Sequence, residues 1–206
     1  MANIIYKYFT ITEDKRKKID AMKSVYAFWN KKVNLISRKD FDNFYEKHVL
    51  HSLSICNLFA FEPNTKIMDL GTGGGFPGVP LAIMYPQVTF YLVDSIAKKT
   101  KVLASIVQEL ALSNVVVINQ RAEEIDESFE FIVTRAVAKL DQLYVWSKNK
   151  ISKKNNHSFK NGLICLKGGD LSNELKNFQH KAFAYSISDF FDEDFFLEKQ
   201  IIHLIK

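Results

Sequence analysis

Only two cysteines, Cys56 and Cys165, occur in the 206 residues. They stand far apart in the apolar contexts LSICNLF and LICLK. This excludes a disulfide framework and a cysteine metal site, and predicts two buried thiols in a reducing compartment. Long hydrophobic runs are also missing. No stretch approaches the roughly 18 apolar residues that cross a bilayer, so no membrane association is expected. The opening MANIIYKYFTITEDK has no small-residue cleavage site behind a long apolar region, so no signal peptide is expected and the location reads as cytoplasmic. Internal repeats and low-complexity linkers are absent. His48 and His51 lie three apart on one helix face but have no further ligands clustered nearby, so no metal site is expected.

Acidic residues are scarce in two particular places. Residues 1–50 hold 11 Lys+Arg against 6 Asp+Glu, so the whole net charge of +5 sits in the first quarter of the chain. Between Asp141 and Asp170 no acidic residue occurs, while Lys148, Lys150, Lys153, Lys154, Lys160 and Lys167 do. Two basic zones on either side of a cofactor loop predict a polyanionic partner.

What is present is the pattern of an ordinary globular protein, with 47% hydrophobic and 25% charged residues. Thr10 to Glu13 reads as a capping box opening a helix. Ile19, Met22, Tyr26, Trp29 and Val33 then recur at helical spacing as a buried stripe, opposite Lys15, Arg16, Lys17, Lys18, Lys23 and Lys31. A second helix is expected over Phe41–Phe59. After Glu62-Pro63-Asn64, strands and helices alternate. Strands are expected at Lys66–Leu70, Val88–Asp94, Val115–Ile118, Phe131–Thr134 and Gly162–Lys167. Helices are expected at Pro77–Met84, Lys98–Leu110 and Leu140–Ser147. Near-continuous apolar strands imply a parallel sheet covered on both faces. Ala184–Asp189 and Gln200–Ile205 read as a closing antiparallel pair. The expected fold is thus α/β, a Rossmann-like, mostly parallel sheet with a C-terminal antiparallel hairpin and an N-terminal helical cap. Residues 1–62 would form the basic cap, and residues 63–206 the cofactor-binding domain.

The motif IMDLGTGGGFPG, Ile67–Gly78, carries the chemistry. In an open α/β sheet the ligand lies beyond the carboxyl ends of the strands, and glycines there let it approach the main chain. Gly73 to Gly78 matches GxGxxG literally, so a dinucleotide-dependent oxidoreductase is one reading. Three features favour S-adenosylmethionine. Asp69, two residues before Gly71, suits a ligand with an ammonium and a sulfonium. In the frame starting at Gly71, the position of the third glycine holds bulky Phe76. Asp94 ends the second strand, 94 − 71 = 23 residues after Gly71, where it can accept from both ribose hydroxyls, although NAD enzymes use the same device. Gln120-Arg121-Ala122-Glu123 follows the third strand. There the Ala122 and Glu123 backbone would bond the adenine edge.

The fourth strand ends at Thr134-Arg135-Ala136, where an acceptor should meet the methyl group. No Asn/Asp-Pro-Pro-aromatic sequence is present to hold an exocyclic amine. No cysteine stands there to attack a pyrimidine. Arg135 is a poor base but a good ligand for phosphate or a purine oxygen. The acceptor is therefore expected to be nucleophilic without deprotonation, as guanine N7 is.

Taken in order, Asn34-Leu35, Arg38, His48, DLGTGGGFPGVPLAI, Asp94-Ser95, Arg121-Ala122-Glu123, Arg135-Ala136 and Leu166-Lys167-Gly168 resemble the RsmG (GidB) family. These are bacterial small-subunit ribosomal RNA guanine-N7 methyltransferases. The resemblance runs from about Trp29 to Gly168 and beyond. It implies methylation of a guanine near the decoding region of 16S rRNA, with S-adenosylmethionine contacted by Gly71, Phe76, Ala122, Glu123 and Arg135. Asp69, Gly73 and Asp94 complete the expected cofactor set. Arg38, His48, Arg121, Arg135 and Lys167 form the expected substrate clamp, and no residue stands out for acid–base chemistry. The expected partner is 16S rRNA or the small ribosomal subunit, and the protein is expected to be a monomer. One departure is visible. The family pattern His-x-x-Asp-Ser here reads His48-Val49-Leu50-His51-Ser52, which motivates a further reading as an RNA-binding module with a vestigial cofactor site.

Overall fold

β-Branched and aromatic residues make up half of the positions in five parallel strands, which pair side by side in one sheet. The strands are β1 (Lys66–Leu70), β2 (Thr89–Asp94), β3 (Val115–Asn119), β4 (Phe131–Arg135) and β5 (Gly162–Gly168). A computed structural model of the chain describes residues 2–206, the side chain of Arg38 excepted. The seven strands run in the order β3-β2-β1-β4-β5-β7-β6, with β6 (Ala182–Ser186) and β7 (Lys199–Ile205) in the last two places. The chain first winds outward from β1 to β3, then crosses back to β4. The junction of β1 and β4 is therefore the switch point where such sheets bind ligands.

The closing pair differs from expectation in placement. β7 is antiparallel to β6 but also pairs antiparallel with β5, with Lys167 opposite Gln200 and Gly168 opposite Lys199. The chain's end thus lies inside the sheet, and the start of β7 joins the ligand edge.

Helices cover both faces. The chain begins with α1 (Asn3–Tyr8), which the sequence pattern did not reveal, followed by α2 (Glu13–Asn30) and the short α3 (Arg38–Phe41). The expected capping box does not form. α2 starts only at Glu13, capped by extended Thr12 without a side-chain bond, because the chain leaves α1 and crosses residues 9–12 unwound. The second expected helix also starts later. A wide π-helical turn, Tyr45–Leu50, passes through His51–Leu53 and tightens into a 3-10 turn, Ser54–Asn57; this run is α4. α5 (Gly78–Met84), α6 (Ala97–Glu109), α7 (Leu140–Ser147) and α8 (Ser172–Leu175) complete the layers.

Ile19, Met22 and Tyr26 of α2 are fully buried, as their spacing predicts, and share one apolar core with α4, α5, α6 and one sheet face; Trp29 and Val33, also expected in the buried stripe, are only partly buried, Val33 lying past the helix end. A second core lies under α7 on the other face. Among the described residues no helix is long and apolar enough to cross a membrane. Burial pushes the thiols of Cys56 and Cys165 up to about 12, which leaves both inert.

Candidate functional site

Two cavities open where β1 and β4 end. The smaller, about 210 Å³, is lined by Gly71, Asp94, Ala122 and Glu123, with Val137 and Trp146 opposite. The larger, about 450 Å³, is lined by His48, His51, Arg135 and Lys167, with Asp40, Lys47, Glu174, Phe195 and Lys199. Ala136 divides them. Its φ of +52° is a left-handed turn uncommon for a residue with a side chain. Arg135 before it lines the larger cavity, and Val137 after it lines the smaller.

The smaller cavity takes its shape from the glycine loop. Gly71 has φ +67°, and a Cβ there would lie 2.7 Å from Cγ2 of Val137. At Gly78 a Cβ would lie within 2.2 Å of Leu92 and 2.7 Å of Asp69 Oδ2, so α5 packs directly on the sheet. Asp69 is fully buried behind this loop. Its Oδ2 accepts from Thr72 Oγ1 at 2.6 Å and from the Gly78 N–H at 2.8 Å, bracing the turn. Its Oδ1 has no partner among the described residues. Burial raises the carboxyl to about 6, against the hydrogen bonds of Thr72 and Gly78. Asp94 is held by the N–H groups of Gly73 at 2.9 Å and Ile96 at 2.8 Å, and carries spare lone pairs at the cavity wall.

These features suit S-adenosylmethionine. An orphan carboxylate oxygen matches an ammonium, Asp94 matches a ribose diol, and Gly71 brings bare backbone to the cavity wall. Of the residues expected to hold the cofactor, Gly71, Asp94, Ala122 and Glu123 line the smaller cavity. Asp69, Gly73 and Phe76 stand behind it, and Arg135 faces the other one. Phe76 packs into the cap against Tyr26, Phe44 and His48, with ring centroids 5.2, 5.9 and 5.3 Å apart. The cap is therefore part of the site. Tyr26 donates to the Gly74 carbonyl at 2.8 Å, and a Cβ on Gly74 would lie 3.1 Å from the Leu35 carbonyl.

In the larger cavity, Arg135 is hemmed in by protein, which lowers its guanidinium to about 10. It donates to the Lys47 carbonyl at 3.2 Å, meets His48 Nδ1 at 2.9 Å, and lies 5.0 Å over the Phe76 ring. Burial first, then the charge of Arg135, lowers His48 to about 3, so its ring is neutral. The two carboxylates here are ion-paired: Asp40 with Lys47 at 2.9 Å and Glu174 with Lys167 at 2.6 Å.

Several expectations need correction. Arg121 lines the smaller cavity and is apart from His48, Arg135 and Lys167, because β3 is the outermost strand. It is not part of one clamp with them. The Arg38 side chain lies outside the described residues. The second basic zone does not flank the cofactor loop. Lys153 and Lys160 line a separate cavity with Lys206, at the opposite end of the sheet, because they precede β5 and the site lies where it ends. Lys150 donates to the carbonyls of Glu123 and Ile125. Of the six lysines only Lys167 reaches the larger cavity, and Glu174 neutralises it. Glu174, Phe195 and Lys199 carry no local signal in the sequence. Val137 could have been found from its place just past Arg135-Ala136.

A family profile described as rRNA small subunit methyltransferase G (GidB) matches residues 15–200. The chain is 48% identical over 202 residues to a ribosomal RNA small subunit methyltransferase G of Christiangramia forsetii, covering 98% of this chain and 95% of that one. It is 49% identical over 201 residues to the protein of that name from Bacteroides thetaiotaomicron, covering 97% and 98%. Among solved structures, a SAM dependent methyltransferase from Aquifex aeolicus superposes with a TM-score of 0.57 at 13% identity, over 83% of this chain and 100% of that one. An rRNA methylase from Streptococcus thermophilus superposes with a TM-score of 0.52 at 11% identity, over 78% and 99%. At such identities these two structures speak for the fold.

Proposed function

Because the chain belongs to the rRNA small subunit methyltransferase G family, we propose that it transfers a methyl group from S-adenosylmethionine to N7 of a guanine in 16S rRNA, near the decoding region. The dinucleotide reading lapses with this membership. The observation that carries the choice of acceptor is the larger cavity itself. It offers a hemmed-in guanidinium and a neutral imidazole, and both of its carboxylates are tied to lysines. Such a site can orient an acceptor but holds no strong base to deprotonate one, since burial also lowers both His48 and His51 below the ordinary imidazole range. Guanine N7 needs no deprotonation, since its ring lone pair is already available.

When bound, S-adenosylmethionine supplies an activated methyl group on its sulfonium. Asp69 Oδ1 suits its ammonium, Asp94 its ribose, and the Ala122–Glu123 backbone its adenine. Arg135, His48 and Phe76 hold the acceptor side, and rate comes from alignment in a site closed by the cap. Residues 1–62 act as an RNA-gripping cap whose α2 lysines meet phosphates, on a cofactor-binding domain of residues 63–206. The chain acts as a monomer in the cytoplasm. The test is the N7-methylguanine content of 16S rRNA from cells with and without the gene. Loss of one modified guanine is expected, and unchanged content overturns the reading.

A further inference from the structure

A third cavity, of about 380 Å³, lies between α2 and α3 and has no part in the chemistry described so far. Ala27, Asn30 and Lys31 line it from the end of α2, and Phe41 and Asp42 from the end of α3. Small-ligand sites typically span about 300–1,000 Å³. Asp40, the residue before Phe41, lines the larger cavity. The two cavities therefore meet across α3, and a strand with one nucleotide in the larger has its neighbour within reach of the other. The walls are fastened. The Asn30 side chain accepts from the N–H groups of Leu35 and Ile36 at 2.8 and 3.0 Å and donates to the Ile36 carbonyl at 2.9 Å. Lys23 donates to the Asp42 carbonyl at 3.3 Å. Phe41 rests on Phe44, with ring centroids 5.6 Å apart, and stays only partly buried.

The charge around this cavity names its occupant. No acidic residue occurs between Asp20 and Asp40, while Lys23, Lys31, Lys32 and Lys39 do, the last three exposed. Phe28 and Lys32, next in the chain after Ala27 and Lys31, repeat the pairing of ring and cation. Phe28 is 51% exposed, and Lys32 Nζ lies 4.2 Å over its ring. Aromatic rings interleaved with lysines are the surfaces on which unpaired bases stack while their phosphates are neutralised. Asp42 repels a phosphate but can accept from the amino group of a base, so a nucleotide here turns its backbone toward Lys31. We propose that this cavity holds the nucleotide flanking the methylated one, with its base stacked on Phe41 and its phosphate at Lys31. This rests on rRNA being the substrate, but not on which atom of the target is methylated.

The test uses the full-length protein, with naked small-subunit rRNA and small-subunit particles from cells lacking the gene. Phe41→Leu keeps an apolar contact with Phe44 but removes the stacking face, and Phe41→Tyr keeps that face. Ala27→Gln fills the cavity without changing charge, and serves if Phe41→Leu does not fold. The expected result for Phe41→Leu is RNA affinity about tenfold weaker, with the salt dependence of binding unchanged, because stacking displaces no counterions. Phe41→Tyr should bind as the parent does. Lys31→Ala should weaken binding several-fold and flatten the salt dependence by about one phosphate contact. Affinity for S-adenosylmethionine, and the single-turnover rate at saturating RNA, should be unchanged in all of them. Parental RNA affinity in a folded Phe41→Leu or Ala27→Gln protein overturns the proposal. So does a loss seen with particles but not with naked rRNA, which would make the occupant a ribosomal protein. A wild-type protein that neither binds nor methylates the rRNA overturns the functional reading itself, so the parent separates the two failures.

Discussion

Arg135 Nη2 and His48 Nδ1 lie 2.9 Å apart, and this contact joins the end of β4 to the π-helical turn of α4. The guanidinium's other contacts are a carbonyl and the face of Phe76. Its charge therefore stays available to substrate, at the cost of being hemmed in by protein.

Arg135→Lys keeps the charge but loses the planar fork that meets Lys47 and His48 together. A fall in methyl-transfer rate of about 100-fold is expected, with the fold retained. Single-turnover rates and thermal melts check this; a rate within threefold of the parent would show that charge alone suffices. Since His48 is lowered to about 3, no histidine limb should appear in the pH–rate profile above about pH 5. A limb near 6.5 that persists at saturating S-adenosylmethionine, where the effect of Asp69 on cofactor affinity drops out, would contradict the neutral, accepting His48.

Asp69 predicts a pH dependence of cofactor affinity. Burial raises its carboxyl to about 6 in the free protein. A ligand ammonium favours the charged form, so affinity should rise as pH climbs from about 5 to 6 and level off above 7. Calorimetry across that range checks it, and an Asp69→Asn protein should bind more weakly at neutral pH and show no such slope. For folding, the sign is opposite. The raised native value means that the stability from this group is full below about 3.8 and lost as pH rises through about 6.

Gly71→Ala should weaken S-adenosylmethionine binding by tenfold or more and destabilise the fold by about 1–2 kcal/mol. The added methyl meets Val137 at 2.7 Å on a backbone at φ +67°. Adding Val137→Ala should relieve the clash but not the backbone strain, so the double variant recovers part of the loss. Complete recovery in thermal melts and titrations would show that strain at Gly71 contributes nothing.

The two basic zones should behave differently. Changing Lys15, Arg16, Lys17 and Lys18 to Ala should lower RNA affinity about tenfold at physiological salt and flatten its salt dependence. Cofactor affinity should be unchanged. Changing Lys153, Lys154 and Lys160, which precede β5, should alter RNA affinity by less than about twofold. Filter binding at several salt concentrations checks both, and equal losses would place RNA at both ends of the sheet.

The sequence by itself determined what depends on neighbours along the chain. Apolar periodicity located all seven strands to within two residues at either end except β6, where the expected Ala184–Asp189 is observed as Ala182–Ser186. The motif from Asp69 to Gly78 announced the cofactor turn, because positive φ and close backbone approach restrict residue choice locally. Tertiary structure decided which charges meet the cleft. Strand direction sends Lys153 and Lys160 to the far end, and the antiparallel insertion of β7 brings Lys199 to the near one. Glu174 cancels Lys167 across a gap in sequence that no periodicity bridges. The polarity of His48 was also beyond the sequence. A histidine's tautomer is set by the groups that face it, and here that group is Arg135, from β4.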